Sequence, residues 1–137
     1  MKSIIIFLAI SLLTVCHLTL NAQNKTTKND TTIYTTVDKF PVLITEEKIY
    51  KVDELNEFIE QNKVFPVDPD DCIGRIIISI IVEKDGTVKN KEFVRKLCRG
   101  FDENSMKVID LMKKWKPGLK NGKKVRTKLI LNVNWRW

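Results

Sequence analysis

Site chemistry in proteins draws on a short list of side chains, and this 137-residue chain is poor in most of them. Its single histidine is His17, and its three cysteines are Cys16, Cys72 and Cys98. Residues 2–22 read as an export signal. Lys2 is the positive start, Ile4 to Leu13 the apolar core, and Asn21-Ala22-Gln23 places a small residue at the cut, after Ala22. Cleavage removes His17, so the mature chain has no imidazole for a triad, a proton shuttle or a zinc site. Two alternative readings stand beside it. Leu13-Thr14-Val15-Cys16 has the outline of a lipoprotein box, although Val15 is bulky. The 17 residues from Ile4 to Leu20 sit at the short limit for an uncleaved membrane anchor.

Cys72 and Cys98 then form an even pair in an oxidising compartment, so a disulfide is the default expectation. Asp68, Asp70 and Asp71 cluster carboxylates, but without the spaced ligands and distal glutamate of a calcium loop. A solvated turn and no metal is expected there. With no Gly-rich phosphate loop and no CxxC, the chain is expected to have no catalytic residue and no cofactor. Binding is the remaining task.

The charge is uneven. The net +7 hides nine Lys/Arg and no acid after Asp110, against ten Asp/Glu and four Lys from Asp38 to Asp71. A basic C-terminal segment steers acidic partners toward itself, or simply keeps an exposed strand soluble. Nucleic acid fits the charge but not the export signal, and aromatic residues are not interleaved with the basic ones.

The elements that must position these charges follow from periodicity. Residues 23–52 read as a polar tether, Thr-, Asn- and Lys-rich at first, with a short lead-in strand over Phe40 to Ile44. A helix is expected from Asp53 as N-cap to about Asn62 or Lys63, burying Leu55, Phe58 and Ile59, with Pro66 barring continuation. Ile76, Ile78, Ile80 and Val82 mark one face of a strand. Ile77 and Ile81 make its other face apolar, as in a central strand. Asp85-Gly86 then turns the chain back: a two-residue loop sets Ile73 opposite Cys98, whereas the preferred three-residue loop Lys84-Asp85-Gly86 pairs Val82 with Val88, Ile76 with Val94 and Cys72 with Cys98, matching apolar with apolar. Asn90 and Glu92 share the parity of the isoleucines in that register, which points to a bulge.

Asp102 is the expected cap of a second helix burying Met106, Ile109 and Met112. Asn121-Gly122 is a hairpin signal before a final alternating strand. Val125, Leu129, Leu131, Val133, Trp135 and Trp137 share one face of it. Lys124, Arg126, Lys128, Ile130, Asn132, Asn134 and Arg136 share the other, and these seven are the candidate partner-binding residues. The fold class is α+β: a three-stranded antiparallel sheet with two helices packed on one face, in the order helix-strand-strand-helix-strand.

Phe65-Pro66 after the first helix, Gly74 before the isoleucine strand, Asp85-Gly86, then Met112, Trp115, Pro117-Gly118, and Gly122 before the last strand form an ordered set. Over roughly residues 53–137 it resembles the C-terminal domain of TonB, the periplasmic energy transducer of Gram-negative bacteria. The resemblance implies a domain that captures an extended segment, the TonB box of an outer-membrane receptor, by strand addition at the sheet edge. It also implies an inner-membrane motor as partner if the N-terminus is an anchor, and a location in the periplasm or cell envelope. An adaptor without energy coupling, binding another extended acidic peptide, is the alternative; a homodimer through the same edge is a third reading.

Overall fold

A computed structural model of the protein describes residues 31–66 and 72–136. The export segment, Gln23 to Asp30, the Asp68, Asp70, Asp71 cluster and Trp137 lie outside the described residues.

In chain order the elements are β1 (Ile33–Tyr34), β2 (Val42–Ile44), β3 (Ile49–Tyr50), α1 (Leu55–Asn62), β4 (Gly74–Val82), β5 (Val88–Arg95), α2 (Arg99–Leu111), β6 (Trp115–Lys116), β7 (Gly118–Lys120) and β8 (Lys123–Trp135). The main sheet runs β1-β8-β4-β5, with β7 added on β8 as a fifth strand. A second sheet, β3-β2-β6, is antiparallel. The α+β class therefore holds, but the expected three-stranded sheet is too small a description. Apart from β2, in the expected lead-in, the short strands were not anticipated, because two- and three-residue segments carry no periodicity of their own.

The residues read as a tether contribute from Thr31 onward. Val37, Leu43 and Tyr50 are buried, and β2 falls within the expected lead-in. A one-turn 3-10 segment, Val52–Glu54, precedes α1. Asp53 is thus inside the helical segment instead of capping it, and the Glu54 carboxylate accepts from the Lys51 backbone N–H at 2.8 Å. Leu55, Phe58 and Ile59 are the buried face of α1, as their spacing requires.

β4 is central. Ile76, Ile78, Ile80 and Val82 have no exposed surface, while Ser79 and Ile81 on the other face are buried as well. The hairpin to β5 begins in the expected register, Val82 opposite Val88, with Gly86 at φ +85°. A Cβ on Gly86 would lie 2.1 Å from the Trp115 carbonyl oxygen, so this turn needs glycine for space as well as for φ. Asn90 then adopts φ +49°, and the register slips so that Ser79 faces Glu92 and Ile78 faces Phe93. The expected Ile76–Val94 pair is replaced: Phe93 turns inward against the core, while Val94 is 60 % exposed. The bulge at Asn90 resolves the parity conflict by inserting one residue, at a side chain that tolerates the left-handed region.

Cys72 and Cys98 form a disulfide, Cα–Cα 6.5 Å. Cys98 precedes α2, which starts earlier than its expected cap; the Asp102 carboxylate instead accepts from the Leu97 N–H at 2.8 Å. α2 buries Phe101, Ser105, Val108 and Ile109, with Met112 just beyond it, and Met106 packs against this core while half-buried. Asn121 (φ +50°) and Gly122 (φ +72°) make the β7–β8 turn, both residues left-handed as a tight hairpin demands.

Candidate functional site

β8 carries the alternation read from its sequence. Val125, Thr127, Leu129, Leu131, Val133 and Trp135 point into the core, each 5 % exposed or less. Trp135 is the anchor of the far end. Its indole N–H donates to the Ser105 hydroxyl at 2.9 Å, and its ring meets Phe101 and Phe65 edge-on at 4.9 and 5.2 Å.

The seven candidate residues lie on or just beyond the opposite face of this strand, and they divide into unlike groups. Lys124 and Lys128 are exposed, as is Arg136 beyond the strand's end. Ile130 is 52 % exposed, an apolar step opposite Ser79. Asn132 and Asn134 are half-buried. Arg126 is already engaged. Its Nε and Nη2 donate to the two Glu83 carboxylate oxygens, each at 2.8 Å, and Nη1 donates to the Thr31 carbonyl at 2.8 Å. That fork raises the Arg126 guanidinium above its ordinary pKa, chiefly through the Glu83 hydrogen bonds. Arg126 therefore ties Thr31, just before β1, to the sheet, while the side chains of Lys124, Lys128, Ile130 and Arg136 remain exposed.

A partner strand would meet the edge of β8, which is a separate surface from the face. β4 occupies one edge, pairing without interruption from Thr127 to Trp135. On the other edge β1 runs parallel, opposite Arg126 and Thr127. From Lys128 to Trp135 this second edge has no strand partner among the described residues.

Lys63 was not singled out in the sequence. Its Nζ donates to the backbone carbonyl of Asn134 at 2.6 Å and pairs with Glu60 at 2.7 Å, lying over the Trp135 ring at 5.3 Å. No local signal marks it, because its partner lies 71 positions along the chain. Glu83, likewise, is legible only as the residue after a strand. Among the described residues no group of three or more His, Cys, Asp or Glu converges as a metal site would require.

Residues 71–137 match the family described as the Gram-negative bacterial TonB protein C-terminal, a stretch that contains β4 through β8 and the open edge. No curated protein and no solved structure matches the chain.

Proposed function

From the match of residues 71–137 to the TonB C-terminal family, we propose that this protein binds an extended peptide segment by adding it as a strand to the open edge of β8. The TonB box of an outer-membrane receptor is the segment the family implies, and the periplasm the place. The observation that carries the reading is the edge itself: from Lys128 to Trp135 no strand covers it among the described residues, while its register on the β4 side is unbroken. Main-chain hydrogen bonds would supply the affinity. Lys128, Ile130 and Asn132, flanking the added strand on the outer face, would tune the choice of sequence. The basic surroundings favour an acidic segment.

The test is a titration with peptides from the periplasmic N-termini of outer-membrane receptors, read by backbone amide shifts. The Lys128, Ile130 and Asn132 amides should move and gain protection from exchange. Ile130→Pro should weaken binding at least about tenfold, since it removes a donor and crowds the edge. Circular dichroism must show that variant folded; unchanged affinity in a folded variant would sink the reading. A fragment for such work should start at Thr31, since Val37 packs into the domain.

One observation favours the adaptor reading, without energy coupling. Residues 31–52 contribute β1, β2 and β3 and bury Val37, Leu43 and Tyr50, so this part of the expected tether belongs to the folded domain and is not a free bridge. N-terminal sequencing of the mature protein separates the two: a start near Gln23 removes direct coupling to an inner-membrane motor. Self-pairing of two β8 edges would appear in sedimentation as a concentration-dependent dimer that the peptide dissociates.

A further inference from the structure

The open edge of β8 is closed at both ends by parts of the chain that lie outside the family match. At one end β1 pairs with Arg126 and Thr127. At the other, Lys63 donates to the Asn134 carbonyl. Between them run Lys128 to Val133, about 20 Å of strand. A longer added strand would have to displace the Lys63 ammonium from that carbonyl, or β1 from its pairing.

Lys63 is also built to do more than block. Its side chain is 11 % exposed, and its ammonium lies 5.3 Å from the Trp135 ring centroid and 6.0 Å from that of Phe65, the Trp135 ring being held by its hydrogen bond to Ser105. An ammonium has three N–H donors; Asn134 and Glu60 take two. The third belongs to a poorly exposed cation held at the end of the slot. A carboxylate gains more beside such a cation than beside Lys128, which is exposed and screened by water and salt. Among the described residues Glu60 is its anionic partner, and it is half exposed, so it can be released to solvent when a second carboxylate arrives.

Resting on the strand-addition reading above, we propose that the β8 edge is a bounded slot for a segment of about six residues. In it Lys63 is the positioning residue that sets the register, by taking a carboxylate of the incoming strand.

The experiment uses the full chain and blocked six-residue peptides of alternating threonine and valine, with one glutamate at the first or at the last position, and the matching glutamine peptides. Affinities are read from backbone amide shifts. One of the two glutamate peptides should bind about tenfold tighter than its glutamine counterpart, the worth of a charge-assisted hydrogen bond in a partly desolvated site. Lys63→Met should abolish that preference while the glutamine peptides still bind, and Lys63→Arg should keep it. Glu60→Gln, an exposed change that leaves the fold alone, should enlarge the preference by removing the competing carboxylate. A preference that is missing in the natural chain, that survives in Lys63→Met, or that fails to grow in Glu60→Gln overturns the role of Lys63 and leaves strand addition standing. Failure of all four peptides, together with the receptor peptides, to bind overturns strand addition and the slot with it.

Discussion

The main sheet has two long outer strands, and they treat their free edges in opposite ways. β5 is interrupted by register shifts on either side of the Ser79–Glu92 and Ile78–Phe93 pairs, carries Asn90 in the left-handed region, and presents Lys89, Lys91, Glu92 and Arg95 to solvent. Lys91 pairs with Asp110 on α2, which holds that stretch against the helix. Bulges and charges of this kind stop a second chain from pairing. β8 holds its register against β4 from Thr127 to Trp135 with no bulge, and among the described residues its other edge is met by β1 and by Lys63. One edge is made unfit for pairing and the other is kept regular. A protein that merely avoided aggregation would have bulged both.

The comparison breaks most severely at the anchor of β8. Trp135→Ala empties a fully buried site and strands the Ser105 hydroxyl, so a loss of about 3–5 kcal/mol is expected, measured as the fall in denaturant midpoint at constant m. Trp135→Phe should cost less, because the edge-on ring contacts can survive the loss of the indole N–H.

Next is the disulfide, which staples the start of β4 to the start of α2, across the bulged hairpin. Removing it with Cys72→Ser and Cys98→Ser together should destabilise the domain by about 3 kcal/mol through loop entropy, for a separation of 26 residues. In the natural protein, thiol alkylation under denaturing, non-reducing conditions should label neither cysteine. Labelling of both would refute the bridge.

A smaller change tests whether the bulge closes the β5 edge. Asn90→Val puts a β-branched residue at φ +49°, which should cost about 1–2 kcal/mol or force the bulge out. If the bulge is what guards that edge, the variant should self-associate in sedimentation where the natural chain does not do so through β5.

The mildest effect concerns the turn between β4 and β5. The Asp85 carboxylate accepts from the Thr87 hydroxyl at 2.7 Å and the Thr87 N–H at 2.9 Å, and these bonds hold its carboxyl below the ordinary value of 3.8. A lowered folded value means the contribution is fully present above the unfolded value and is lost as pH falls through the folded one. Thr87→Val should move the Asp85 midpoint upward, observed by carboxyl NMR, with little change in stability at neutral pH. An unmoved midpoint would remove the hydroxyl as the main cause.

Much of the fold was legible from local pattern. β4 and β8 carry long runs of alternating or continuous apolar residues, and such runs are bound to one face whatever packs against them. Leu55, Phe58 and Ile59 identified α1 by spacing, and Gly86 and Asn121-Gly122 identified their turns by the backbone angles they allow. The conflict at Asn90 and Glu92 even located the bulge. The short strands were not legible: Ile33–Tyr34 is too brief to show a period, and it is a strand because β8 lies beside it.

The candidate site divides along the same line. By itself the sequence determined which side chains of β8 are inward and which outward, because alternation is a property of the strand alone. Tertiary structure decided which outward residues are free. Arg126 is taken by Glu83 and Thr31, and the uncovered stretch of edge among the described residues ends where β1 and Lys63 reach it. Those limits are contacts between residues 43 to 95 positions apart, and no local pattern of residue types encodes a meeting at that distance.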